Sequence, residues 1–193
     1  MFNDLFQQVH YAYIFCAATL FIAGIYVAPN IVEKNIKWLL VYPRWVSRLI
    51  EKYFSTNWGF LTIFFIVFIL NNFSLFTGFI SGFLVIFPFI FAFLTGFHVA
   101  VIGYDLMGWK GIWYLLINPV AWFEFLAAWI NFGMGIKLAI SVITGSSAAQ
   151  GSILHLLLPL YFKYVMVLLF VAAILESALI LWAQKHKNDH DEP

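Results

Sequence analysis

Two carboxylates stand alone in strongly apolar stretches, Glu124 within AWFEFLA and Glu176 within AAILESALI. A lone acid in a run long enough to cross a bilayer is costly in lipid, and it marks a site or a polar contact. His98 lies in a third such run. By helical rise, Glu124 is about 8 Å from Pro119, Glu176 about 9 Å from Trp182 and His98 about 10 Å from Asp105, so the three share a depth. A cluster of Glu124, Glu176 and His98 is therefore geometrically open to this chain. It would suit a proton or cation relay, or a socket for another subunit's polar group. The alternative is a hydrogen-bonded network that only fixes helix packing.

Amides and small residues follow the same faces. Asn71 and Asn72 adjoin in one apolar run, and Asn131 lies on a stripe with Glu124, Ala128, Gly135 and Ala139. Asn71 leads at helical spacing to Ser74, Gly78 and Gly82, while Ala92, Gly96 and Ala100 recur at four-residue intervals. Stripes of this kind let helix backbones approach, with the amides as interhelical glue or as a ligand or partner site. Gly133 joins Gly78, Gly82, Gly96 and Gly135 as an expected packing position. No HExxH, GxSxG, phosphate-binding Gly-rich loop or CxxC occurs, and Cys16 is the single cysteine. The tail 186–193, HKNDHDEP, reads as a solvated, mobile end. No metal, no cofactor and no enzymatic activity is expected.

The composition says what must position these groups. The 193 residues are 64% hydrophobic and 10% charged, with a net charge of +1 and a mean hydropathy of +0.93. Soluble domains have about 45–50% apolar and about 25% charged residues. A water-soluble globule is excluded, and the charge balance lacks the basic excess of a nucleic-acid binder. The expected class is an all-α polytopic membrane protein, a single transmembrane domain over 1–193 with the lipid bilayer as its first partner.

Between Lys52 and Asp105 there is no charged residue. As one helix this stretch would be about 78 Å long against a hydrocarbon core of about 30 Å, so it crosses twice. The spans are expected at 58–77 and 83–103, with the fold-back near Gly78, Ser81 and Gly82. Three more are expected at 11–28, closed by Pro29 and Asn30, at 119–143, and at 153–183, where Pro159 kinks the helix or sets off a short outer one. Residues 144–152 read as a loop. Trp109–Ile117 reads as an interfacial or re-entrant helix, giving about five spans and six elements.

Basic residues set the orientation. Lys34, Lys37, Arg44, Arg48 and Lys52 fill the first connection, Lys110 the third, and Lys185 and Lys187 the tail. The positive-inside rule then puts the N-terminus outside and the C-terminus in the cytoplasm of a plasma-membrane protein. Lys137 and Lys163 would snorkel to the outer headgroups. Residues 1–10 lack a basic n-region, so the first span is expected to be retained. Segment 31–54 places Arg44, Arg48 and Lys52 on one face beside Trp45, Leu49 and Tyr53. This is the pattern of an amphipathic helix at the cytoplasmic interface, an ordinary loop being the alternative.

One ordered set of short motifs remains: Phe64…Asn71-Asn72, Gly78, Gly82, Gly96, Pro119…Glu124, Gly133-Met134-Gly135 and VAAILESALI over 171–180. In order and spacing it resembles the stage II sporulation protein M family of integral membrane proteins, across about residues 60–180. Where that family carries Pro-His-Gly this chain has Pro119-Val120-Ala121, and Thr95-Gly96 stands for its Asn-Gly. The resemblance implies a non-enzymatic membrane scaffold, a homo-oligomer that binds envelope or peptidoglycan-remodelling proteins. The residues alone leave open a small ion- or proton-coupled transporter using Glu124 and Glu176.

Overall fold

Inside a bilayer a backbone amide has no water to turn to, so charge-free apolar runs satisfy themselves as helices. The computed structural model of the protein describes residues 3–54, 58–145 and 147–191, and among them there is no strand. A short N-terminal helix, α1 (Asn3–Gln8), precedes α2 (Tyr11–Glu33) and the amphipathic α3 (Lys37–Phe54). Next come α4 (Phe60–Ile80), a 3-10 turn (Ser81–Leu84), α5 (Phe87–Met107), α6 (Trp109–Ile117) and α7 (Pro119–Ile143). The last pieces are α8 (Ser147–Leu160), a π-helical turn (Tyr161–Val165) and α9 (Met166–Asp191). Among the described residues, five helical stretches are long and apolar enough to cross a membrane: Tyr11–Glu33, Phe60–Leu84, Phe87–Met107, Pro119–Ile143 and Ile153–Lys185. The chain is an all-α polytopic bundle.

Helix α7 is its axis. Its most apolar stretch is 67% buried, against 28% to 33% in the other four spans. Small residues make this possible, because Ala127, Ala128, Gly133, Gly135 and Ala139 let neighbours close on every side. The N-terminus is well specified, with Asn118 Oδ1 accepting from the Val120 amide at 3.0 Å and Pro119 in the first turn.

Several boundaries fall elsewhere than the sequence suggested. Pro29 and Asn30 do not close α2, which runs on to Glu33. A proline removes one amide donor, which is tolerable near a helix end. The stop is a Schellman motif at Asn35, whose φ is 47°: Asn35 N donates to Val32 O (2.9 Å) and Ile36 N to Ile31 O (3.2 Å). The fold-back after α4 is not at the glycines. The chain continues past Gly78 and Gly82 and reverses at Val85, with φ 54° and ψ −63°. There Ile86 N donates to Leu84 O at 2.6 Å, closing a strained γ-turn. Spans two and three are accordingly displaced toward the C-terminus of their expected ranges. Most of the expected loop 144–152 is helical, since α8 begins at Ser147, consistent with the helix preference of Ala148, Ala149 and Gln150. Pro159 coincides with a change of helix type: Met166 N donates to Tyr161 O across five residues. Helix α9 continues through most of the charged tail to Asp191.

The ends of the bundle are tied differently. At one end Arg44 forks onto Asp105 (Nε–Oδ2 2.7 Å, Nη2–Oδ1 2.9 Å) and donates to Asn35 Oδ1 (3.0 Å), while Tyr104 donates to Glu33 Oε1 (2.5 Å). Arg44 is therefore a clamp holding α3 to α5 rather than a free lipid contact. Arg48 and Trp45 of α3 are exposed; the side chain of Lys52 lies outside the described residues. At the other end Lys163 and Tyr164 both donate to Asp4, and Lys137 donates to the Gln8 carbonyl. The two lysines expected to snorkel do reach an end of the bundle, where α1 receives them.

Candidate functional site

The acids meet in one cleft. Helix α7 brings Glu124 and α9 brings Glu176 to a cavity of about 460 Å³, walled by α4, α5 and α6. Asn71 of α4 lines the same cavity, and its Nδ2 donates to Glu124 Oε1 at 2.7 Å. Glu176 has no hydrogen-bond or ion-pair partner among the described residues. Among the described residues no lysine, arginine or histidine lines the cleft.

The register between α4 and α7 explains how Asn71 finds Glu124. The two helices run in the same direction. One turn beyond Asn71, Leu75 O accepts from Asn131 Nδ2 at 2.8 Å. Further along, a Cβ on Gly78 would lie 2.6 Å from the Phe132 ring, and one on Gly82 would lie 2.5 Å from Gly135 O. Glycine is required at Gly82 by close approach of main chain, while at Gly78 a side chain would have to displace the buried Phe132 ring. Asn131 is fully buried, and its Oδ1 has no partner among the described residues.

The asparagine pair splits. One helical step rotates a side chain by about 100°, so adjacent residues face different neighbours. Asn72 turns away from the cleft: its Nδ2 donates to Phe68 O (2.8 Å), and its carbonyl and Oδ1 accept from Tyr161 OH (3.1 and 3.3 Å). Tyr161 opens the π-helical turn, and nothing in the sequence alone marked it as a partner of Asn72.

His98 leaves the expected cluster for the same reason. Val99 lines the acid cleft, whereas His98 faces a separate cavity of about 610 Å³ beneath α3, with its ring 4.9 Å from that of Tyr42. The polar group is therefore Glu124, Glu176 and Asn71, without His98.

The packing glycines sit at helix contacts. A Cβ on Gly96 would lie 2.0 Å from Phe21 O, and one on Gly133 would lie 2.8 Å from Ile14. Gly135 faces Pro88 and the Gly78 carbonyl. Two more contacts were missed in the sequence: Gly24 against the Phe93 carbonyl, and Gly111 against that of Gly103. Among the described residues no group of three or more His, Cys, Asp or Glu is placed to hold a metal ion.

Chemically, the cleft offers two carboxylates, the amides of Asn71 and Asn118 and the Tyr114 side chain in an otherwise apolar wall. Such a set can accept hydrogen bonds or a positive charge. Comparison of the chain with protein-family models, with curated proteins and with solved structures finds no match.

Proposed function

We propose that the protein is a non-enzymatic membrane scaffold, similar in role to stage II sporulation protein M, which assembles as a homo-oligomer and holds other membrane or envelope proteins. The observation that carries this reading is a cleft that ends at its acids. Its lining reaches no further along the bundle than Asn71, Val99, Glu124 and Glu176. Beyond them the Gly78–Phe132 and Gly82–Gly135 contacts bring α4 and the turn after it against α7. A blind recess suits docking better than conduction. Gly78 and Gly82 are consumed by packing within the chain, so oligomer contacts belong to the outer faces. Peptidoglycan-remodelling enzymes are the partner class the resemblance suggests.

A plasma-membrane location with the N-terminus outside is part of the same proposal. It is supported by Lys34, Lys37, Arg44, Arg48 and Lys110 lying at one end of the bundle. A second reading, cation- or proton-coupled transport, draws on the two carboxylates lining a cavity. Purified protein in liposomes separates the two. The scaffold reading expects no proton or monovalent-cation flux above that of empty vesicles. Flux that disappears in Glu124→Gln would replace it with transport.

A further inference from the structure

The acid cleft is an apolar groove with one electrostatic demand. Its rim is apolar and exposed: Leu70, Leu106, Met107 and Tyr114 are 59%, 60%, 60% and 57% exposed. Such a rim offers an apolar partner a wide contact, with Asn118 and Tyr114 as its polar points. At its base stand Glu124, with one oxygen taken by Asn71, and Glu176, without a partner among the described residues. Neighbouring carboxylates at this depth repel each other, and a charged acid inside a span is costly in lipid. An occupant bringing a positive charge relieves both terms.

We infer that this cleft is a docking groove for a transmembrane helix of another protein, one that carries a single lysine or arginine at the depth of Glu124 and Glu176. The inference rests on the scaffold reading and names the chemistry of its partner. The apolar rim takes the helix's flank, and the two carboxylates take its cation. Asn71 holds the Glu124 carboxylate in place to receive it. A lipid ammonium headgroup is a poorer occupant, because it would have to leave the interface and descend about 8 Å to reach Glu124. Charge complementarity of this kind sets which partner is accepted and in what register.

The test uses the full chain in phosphatidylcholine vesicles. A fluorescent synthetic helix of about 20 leucines and alanines carries one lysine about 9 Å inside its end. Two controls replace that lysine by leucine or by acetyl-lysine. Energy transfer from labelled protein should show the lysine helix associating about tenfold more strongly than either control. The preference should vanish in the Glu124→Gln/Glu176→Gln double variant. Equal association of all three helices overturns the inference, as does a preference that survives in the double variant. The acetyl-lysine comparison needs only the wild-type protein, so it decides the matter even if the double variant misfolds. If the preference is absent and vesicles show no flux, the scaffold reading stands and only the cationic partner falls. Cation flux through the wild type would instead remove the scaffold reading itself.

Discussion

Glu124 and Asn71 illustrate how one hydrogen bond is worth more by its loss than by its presence. The pair itself contributes about 0.5–1.5 kcal/mol, whereas stranding the Asn71 amide costs about 1–3 kcal/mol. Glu124→Gln retains an acceptor for Asn71 Nδ2 and should lower stability by less than about 1 kcal/mol. Glu124→Leu should lower it by about 1–3 kcal/mol. Thermal unfolding in detergent, followed by tryptophan fluorescence, distinguishes the two, and equal midpoints would contradict the placement of this acid. Asp4 makes a different case at the surface. Hydrogen bonds from Lys163 and then Tyr164 hold its carboxyl at about 2, below the ordinary 3.8. Because the bound form is the ionised one, the tie is complete above pH 3.8 and is lost as pH falls toward 2. Protection of the α1 amides against hydrogen exchange, relative to the intrinsic rate at each pH, should fall over that interval, while in Asp4→Asn it should already be low at neutral pH. Exchange that ignores both changes would mean that Leu5 and Val9, both buried, hold α1 unaided. Glu124 and Glu176 were legible in the sequence because charge is rare in lipid. Tyr161 was not, since a tyrosine in an apolar run looks like any aromatic until its hydroxyl meets Asn72.

Among the elements, α2 and α5 meet backbone to backbone. A Cβ on Gly24 would lie 2.2 Å from Phe93 O, and one on Gly96 2.0 Å from Phe21 O, so neither helix can take a side chain there without moving the other. Forcing methylenes into a packed contact costs about 1–3 kcal/mol. Gly96→Val should meet or exceed the upper end, because rigid main chain leaves nothing to repack. Gly59→Ala is the control: with nothing within 4 Å it meets no clash, and it should lose only the N-cap preference of glycine over alanine, about 0.5–1 kcal/mol. Unfolding midpoints of the two variants in the same detergent check the contrast, and similar values would refute close backbone contact. Helix α6 and the start of α7 at Pro119 were readable in advance, because Asn118-Pro119 both caps and interrupts. The reversal at Val85 was not. Nothing about a valine announces positive φ, and the conformation is imposed by the two helices it joins.

At the scale of the whole molecule, two ends differ in kind: one is basic and clamped by Arg44–Asp105, the other is closed by α1 over Lys137 and Lys163. The orientation follows as a measurable outcome. In a Cys16→Ser background, Lys34→Cys should resist a membrane-impermeant maleimide in intact cells, and Thr144→Cys should react. The opposite pattern would invert the proposed topology and move the acid cleft to the outer half. Class, span number and the presence of intramembrane acids were decided by the amino-acid sequence itself, because the bilayer imposes length, apolarity and internal hydrogen bonding on each segment separately. Which polar groups meet was decided only by tertiary structure. Rotation about a helix axis turns adjacent residues about 100° apart, so Asn71 joins Glu124 while Asn72 joins Tyr161, and Val99 enters the cleft while His98 turns to α3. Those rotations are set by where glycines let backbones touch, a property of pairs of helices that no single segment carries.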